Sequence, residues 1–136
     1  MRGSIECPIH PTEDPERVLK AVVSLFPDTS FEVQGGSVKG VVTGETEIEW
    51  LRSRIFEQRI IDATRARLLA NLEENKTRLL LDKQAGLYGR VRVIDDEEED
   101  PPLGGITVEF WFDGPSERDA FLAWLTPPTK DGKVIE

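Results

Sequence analysis

The chain has 136 residues, 38% hydrophobic and 32% charged, and its 26 acids against 17 bases give a formal net charge of −9. This length and apolar content fit one soluble domain with a buried core and exclude a membrane span. The N-terminus lacks an apolar signal segment, so we expect a cytoplasmic protein. The charge opposes nonspecific attraction to nucleic acid, while a single cysteine, Cys7, and a single histidine, His10, exclude an internal disulfide and any multi-cysteine or two-histidine metal site.

The first third of the chain predicts a strand, a helix and a hairpin. Residues 4–10 alternate between apolar and polar side chains, as a half-buried strand does. Pro15 suits the first turn of the following helix, which Pro27 ends, and apolar residues recur between them at helical spacing: Val18, Ala21, Val22 and Leu25. A short strand, the turn Gly35–Gly36 and a strand at residues 38–43 then form the hairpin.

The middle of the chain predicts a long helical region and two further strands. Residues 46–72 carry two apolar stripes that are out of phase, so we expect a break or bend near Gln58–Arg59. Residues 77–82 predict a strand, residues 84–89 a glycine-bracketed connection, and residues 90–94 a second strand. If these two strands pair, they form a second hairpin.

The last third begins with six consecutive acids, Asp95–Asp100, which repel one another and predict a solvated, mobile loop over residues 95–105. Residues 106–112 alternate cleanly between apolar and polar side chains and predict a strand. A last helix begins at Ser116, and a polar tail follows at residues 127–136.

The predicted element order is β-α-β-β-α(α)-β-β-β-α, within a single domain that comprises residues 1–136. Strands joined by tight turns, with helices between the groups of strands, are typical of the α+β class. We therefore expect a mixed or antiparallel sheet with the helices mainly on one face.

A basic segment inside an acidic chain is the main functional signal. Residues 52–92 hold ten bases against five acids, so this segment carries +5 and the rest of the chain −14. Guanidinium groups match the geometry of phosphates, and a tyrosine ring can stack on an unpaired base. The candidate RNA-binding residues are Arg59, Arg65, Arg67, Arg78, Lys83, Tyr88, Arg90 and Arg92.

Their predicted arrangement depends on the second hairpin. If its strands pair, Arg78, Arg90 and Arg92 lie on one open face, with Lys83 and Tyr88 at the connecting turn. The competing interpretation is that these bases form ordinary surface ion pairs with the abundant acids.

Other candidate sites are weaker. The acid run lacks the ligand spacing of a calcium loop, and no glycine-rich segment matches a phosphate-binding loop, so we expect neither a metal nor a cofactor. His10 with Glu13 or Asp14 is the one candidate for acid–base catalysis, but no nucleophile stands beside it in the sequence and turn or cap roles explain the segment better. Trp111 lies on the polar side of its strand and is a candidate interface residue.

Four segments carry a family resemblance: His10–Val18, Gln58–Arg65, Asn75–Ala85 and Pro102–Val108. In this order they resemble a family of small archaeal proteins of uncharacterised function, over about residues 4–112. The resemblance implies a ribosomal-protein-L-five-like α+β fold and a role in RNA binding. It implies no enzymatic activity and no cofactor.

These observations support two functional hypotheses. The first is a non-catalytic protein that recognises structured RNA, with ribosomal RNA as a candidate and no DNA expected, through the basic hairpin and the central helices. The alternative is a protein-interaction or scaffold module that acts as a homo-oligomer without a nucleic-acid partner. In that module Trp111 and the last helix form the association surface.

Overall fold

The computed structural model describes residues 1–95, 103–130 and 133–134. A short 3₁₀ turn at Glu45–Ile48 precedes the second helix. The strands and helices are, in chain order, β1 (Arg2–Pro8), α1 (Pro15–Leu25), β2 (Phe31–Gln34), β3 (Ser37–Val42), α2 (Glu49–Glu57), α3 (Ile61–Ala70), β4 (Lys76–Leu81), α4 (Lys83–Leu87), β5 (Ile106–Trp111), α5 (Pro115–Leu125), β6 (Thr129–Lys130) and β7 (Lys133–Val134).

The first five strands form one antiparallel sheet in the order β2-β3-β1-β5-β4. The central strand is β1, in which Ile5 lies opposite Gly40 on one side and Val108 on the other. At the far edge of the sheet, Thr77 of β4 pairs with Phe110 of β5. The predicted α+β class with an antiparallel sheet is confirmed.

The core lies between the sheet and the helices. Alternate strand residues, such as Ile5, Cys7 and Phe110, are buried together with the inner sides of the helices in one apolar cluster. Phe121 of α5 lies near its centre, with its ring centroid 4.9 Å from that of Phe110, 5.5 Å from that of Phe112 and 5.8 Å from that of Trp124.

The opposite face of the sheet carries the remaining strand residues, all of them exposed or half-buried. None of the described helices covers this surface, which we call the open face. It includes Ser4 and Glu6 of β1 and Thr107 and Glu109 of β5. The expectation that helices lie mainly on one face is therefore confirmed.

The break in the central helical region is also confirmed. Helix α2 ends at Glu57 and α3 begins at Ile61. Arg59, between them, adopts a left-handed backbone conformation with φ of 58°, which an α-helix cannot continue through. The two apolar stripes therefore belong to separate helices, each with its own buried side.

Two predictions about local structure are wrong. Residues 84–89 are not a simple connection, because Asp82 caps the backbone amides of Gln84 and Ala85 and starts α4. Residues 90–94 are not a regular strand, since they join β4 only through an isolated bridge between Leu81 and Val93 and two flanking backbone hydrogen bonds. The predicted polar tail at residues 127–136 contains the short β6–β7 ribbon. Most of the expected acidic loop, residues 96–102, lies outside the described residues.

Candidate nucleic-acid interface

A side-chain amide joins the two parts of the basic segment. The Gln58 side chain, at the end of α2, accepts a hydrogen bond from the Val91 backbone N–H at 2.8 Å. Its Nε2 group donates to the Val91 carbonyl oxygen at 2.7 Å. These two bonds hold the α2–α3 break against the segment after α4. They bring the neighbouring residues Arg59 and Arg90 to one part of the surface.

Both of these arginines are exposed. Within the described parts of the chain, neither guanidinium group forms an ion pair or a hydrogen bond. The left-handed conformation of Arg59 is uncommon for a residue other than glycine, asparagine or aspartate. The Ile60 backbone N–H donates to the Ile55 carbonyl oxygen at 3.1 Å, so the left-handed Arg59 closes the C-terminal end of α2.

Tyr88 stands at the C-terminal end of α4 and is 77% exposed. The backbone N–H groups of Tyr88 and Arg90 both donate to the Ala85 carbonyl oxygen at 3.0 Å, and Gly89 between them has φ of 72°. This wrapped helix end fixes the positions of residues 88–90. The tyrosine ring is thus open to solvent two residues from an unpaired guanidinium group.

Arg92 follows Val91 directly and is partly neutralised. Its Nη1 lies 3.0 Å from Oδ2 of Asp82, and half of its side chain remains exposed. We call Arg59, Tyr88, Arg90 and Arg92 the junction patch. These four residues of the predicted RNA-binding set each lie within three residues of Gln58 or Val91 along the chain.

Two arginines of α3 are occupied by other groups. Arg67 pairs with Asp95 at 3.0 Å, and both side chains are mostly buried. Arg65 donates from Nη1 to the Thr126 carbonyl oxygen at 2.7 Å, which fixes the end of α5 against α3. The Arg67–Asp95 pair agrees with the competing interpretation, whereas Arg65 is held by a backbone carbonyl group and not by an acid.

The predicted common face of Arg78, Arg90 and Arg92 stays a prediction. The Leu81–Val93 bridge sets Arg92 opposite Asp82, which follows β4 directly. Arg78 lies on the open face of the sheet, opposite Glu109 in the register of β4 and β5. Arg90 and Arg92 lie beyond α4, because that helix replaces the predicted tight turn.

Lys83 is not at an exposed turn, and the prediction that it contributes to an open basic surface is wrong. It opens α4, its side chain is only 4% exposed, and its ammonium group lies 2.9 Å from Oε1 of Glu13 and 2.7 Å from the Pro8 carbonyl oxygen. Sequence spacing could not reveal this partner, since 70 residues separate Lys83 from Glu13.

The candidate catalytic group around His10 is used for local structure. The His10 ring is exposed and its Nδ1 lies 2.9 Å from the Thr12 hydroxyl group. Glu13 accepts from the His10 backbone N–H at 2.8 Å and from Lys83, while Asp14 caps α1. Both carboxylates therefore have structural partners, and neither is hydrogen-bonded to the imidazole ring.

Cys7 is fully buried in β1. Burial raises the pKa of its thiol to about 11, the nearby positive charge of Lys83 opposes this shift, and the negative charge of Glu13 adds to it.

We expect the Cys7 thiol to resist a disulfide-exchange reagent such as DTNB in the folded protein at about pH 8, because both access and the thiolate form are suppressed. Complete labelling should follow unfolding in guanidinium chloride. Absorbance of the released thionitrobenzoate measures both rates. Labelling of the folded protein at the rate of the unfolded one would contradict this prediction.

Trp111 lies on the open face, as its alternation predicted, and is partly exposed. The last helix, however, packs on the other side of the sheet, where Phe121 and Leu125 are buried. The buried side of α5 and Trp111 therefore lie on opposite sides of the sheet, and their common association surface stays a prediction.

The described residues contain no cluster of three or more histidine, cysteine or carboxylate side chains arranged to hold a metal ion. In the same part of the chain, no helix has the length and apolar character needed to cross a membrane. The sequence did not reveal the two hydrogen bonds between the Gln58 side chain and Val91, which we call the Gln58 bridge. It also did not reveal the Asp82 side chain as the N-terminal cap of α4. Of these, only Asp82 had a local signal, an acid directly before helix-forming residues.

Comparison with known proteins places this fold and surface in a family. A family model described as RNA binding matches residues 4–112. A UPF0201 protein from Sulfurisphaera tokodaii is 33% identical over 132 residues, which cover 94% of this chain and 88% of that protein. The chain belongs to the UPF0201 family. A second UPF0201 protein, from Methanothermobacter thermautotrophicus, is 36% identical over 124 residues, with 90% of this chain and 89% of that protein covered.

Solved structures of UPF0201 proteins share the fold. The crystal structure of the Methanococcus jannaschii protein matches with a TM-score of 0.86 and 28% identity over the full length of both chains. A second UPF0201 crystal structure matches with a TM-score of 0.81 and 29% identity over 99% of this chain and 100% of that one. The predicted resemblance to an archaeal family of uncharacterised function is thereby confirmed. The implied likeness to ribosomal protein L five stays a prediction.

Proposed function

We propose that this UPF0201 protein binds RNA through the junction patch. The observation that supports the proposal is the pair of hydrogen bonds between Gln58 and Val91, which joins the chain segments that carry Arg59 and Arg90. Tyr88, two residues before Arg90, is 77% exposed. The description of the family as RNA binding supports the same function.

The chemistry of the patch favours a segment of structured RNA whose bases are unpaired. Guanidinium groups donate two parallel hydrogen bonds to a phosphate, and an exposed tyrosine stacks on a base that is not already stacked in a helix. The net charge of −9 opposes long-range attraction to a polyanion, so affinity must come from this local group of contacts.

A double substitution of Arg59→Gly with Arg90→Gln tests the electrostatic contribution. Glycine accepts the left-handed conformation at position 59, so the fold should keep its stability while one charge is removed. We expect affinity for a fluorescent single-stranded RNA to fall by about 1–3 kcal/mol, and the slope of log K against log salt to become shallower by about 1.4 for two lost phosphate contacts. Fluorescence anisotropy at several salt concentrations measures both.

Two further variants separate stacking from charge. Tyr88→Ala should weaken binding by about 1–3 kcal/mol with little change in the salt slope, because it removes stacking and no charge. Lys39→Gln is the matched control, since it removes one exposed base on the open face, on the other side of the sheet. An equal loss of affinity in the control, or no saturable binding by the unmodified protein, would refute the proposal.

A further inference from the structure

A cleft lies between α1 and α4 and has a volume of about 310 Å³. Apolar side chains from both helices and from the segment before β5 contribute to its walls: Val18, Ala21, Leu87 and Leu103. Val18 and Ala21 are themselves buried, so the core fixes that wall. A concave site of this size that combines apolar walls with a few polar groups is typical of small-molecule binding.

An ion pair between two buried side chains lies at the floor of the cleft. Lys83 is 4% exposed and Glu13 is 11% exposed, and both line the cleft. The Lys83 ammonium group donates to Oε1 of Glu13 at 2.9 Å and to the Pro8 carbonyl oxygen at 2.7 Å. An ammonium group has three N–H donors, so one of them has no partner among the described residues.

The Glu13 carboxylate also has unused hydrogen-bonding capacity. Its Oε1 atom accepts from Lys83 and from the His10 backbone N–H, whereas Oε2 has no partner within the described parts of the chain. Because both oxygens belong to one carboxylate, the spare acceptor lies next to the spare donor. Buried polar groups normally have partners, so the floor is complementary to a ligand that offers an acceptor beside a donor.

Two exposed polar side chains lie at the mouth of the cleft. Neither Arg17 of α1 nor Gln84 of α4 uses its side chain for an ion pair or a hydrogen bond with another described residue. Asp14 also lines the cleft, but its Oδ1 atom accepts from the Glu16 backbone N–H as the cap of α1. A guanidinium group matches the geometry of a phosphate, so Arg17 is the available contact for one.

We propose that this cleft binds the base of a guanine nucleotide. Guanine carries the acceptor O6 beside the donors N1–H and N2–H, so O6 accepts from Lys83 while both donors reach Oε2 of Glu13. The planar ring lies between the apolar walls, and the phosphate lies at the mouth with Arg17. The base belongs either to a free nucleotide or to an unpaired guanosine of RNA. The inference does not depend on RNA binding by the junction patch.

The other common bases complement this floor less well. Adenine and cytosine carry their donor and their acceptor in the reverse order along the same edge. Uracil has a carbonyl oxygen where guanine has its N2 amino group, and the Glu13 carboxylate repels that oxygen. A site built to hydrogen-bond its ligand discriminates strongly against analogues that leave its buried polar groups unpaired.

Calorimetric titration of the unmodified protein with nucleoside monophosphates tests this preference. Guanosine monophosphate should give saturable binding to one site. Inosine monophosphate, which lacks only the N2 amino group, should bind about tenfold more weakly, and adenosine and uridine monophosphates more weakly still. The absence of saturable guanosine monophosphate binding, or equal affinity for all four nucleotides, would overturn the proposal.

A substitution at the mouth tests the phosphate contact. Arg17→Gln should weaken the binding of guanosine monophosphate about tenfold and leave the affinity for guanosine, which has no phosphate, unchanged. Lys20→Gln is the matched control, since it removes an exposed base of the same helix that does not line the cleft. An equal loss of affinity in the two variants would contradict the contact.

A double substitution at the floor tests the recognition of the base. Lys83→Met with Glu13→Leu removes the spare donor and the spare acceptor together while retaining apolar volume, and it should abolish binding of guanosine monophosphate. Circular dichroism establishes that this variant is folded. Should it fail to fold, the comparison of nucleotides and Arg17→Gln remain decisive. A folded double variant that binds with unchanged affinity would overturn the proposal.

Competition identifies the source of the base. Two short single-stranded RNAs, one of uridines only and one with a single central guanosine, are added to the protein saturated with guanosine monophosphate. Displacement by the guanosine-containing RNA alone assigns the cleft to RNA, and displacement by neither assigns it to the free nucleotide. Equal displacement by both RNAs would overturn the preference for guanine.

Discussion

Replacing Lys83 with alanine lowers the free energy of unfolding by about 3–5 kcal/mol, the cost of leaving a buried charge without its partner. The Glu13 carboxylate is only 11% exposed and depends on the Lys83 ammonium group for compensation. The Pro8 carbonyl oxygen loses its donor as well. Chemical denaturation followed by circular dichroism measures the change.

A double variant separates the cost of the lone charge from the value of the pair. Lys83→Met combined with Glu13→Leu removes both charges and retains apolar volume, and buried pairs replaced in this way are often neutral to stability. We expect the double variant to be more stable than Lys83→Ala. The interpretation fails if Lys83→Ala is as stable as the unmodified protein, or if the double variant loses as much stability as the single one.

Phe121→Ala should lower the free energy of unfolding by about 3–5 kcal/mol, as truncation of a fully buried phenylalanine typically does. The Phe121 ring is 1% exposed and contacts three aromatic rings, those of Phe110, Phe112 and Trp124. Its removal leaves a cavity between α5 and β5 that these large rings cannot close without leaving their own positions.

Tyr88→Ala is the matched control for Phe121→Ala. It truncates an aromatic side chain that is 77% exposed, so stability should change by no more than about 0.5 kcal/mol. Urea unfolding of both variants under the same conditions gives the comparison. A Phe121→Ala midpoint equal to that of the control would show that α5 contributes little to the core.

The strands and long helices were predictable because their signals are local. Alternation at residues 106–112 and the helical spacing from Val18 to Leu25 each reflect one buried face, and the structure buries those faces. The phase change at Gln58–Arg59 predicted the break between α2 and α3 for the same reason. The short helix α4 escaped prediction, because the glycines at 86 and 89 resemble a turn and a single cap, Asp82, decides the outcome.

The candidate interface was predictable only in part. Charge counting identified the basic segment, but it could not distinguish paired bases from unpaired ones. Lys83 has a partner 70 residues away, whereas Arg90 has none among the described residues. Long-range pairing also occupied Arg65 and Arg67. Sequence spacing assumed a tight turn between Arg78 and Arg90, whereas α4 connects β4 to the segment that carries Arg90.

The Gln58 bridge makes the surface chemistry of this protein sensitive to slow covalent ageing. A carboxamide is needed at this position, because it accepts from the Val91 N–H with its oxygen and donates to the Val91 carbonyl with its nitrogen. Spontaneous deamidation to glutamate would set a carboxylate oxygen against that carbonyl and replace attraction with repulsion. One hydrolysed amide would thus weaken the attachment of the segment after α4 to the α2–α3 break and add a negative charge next to Arg59.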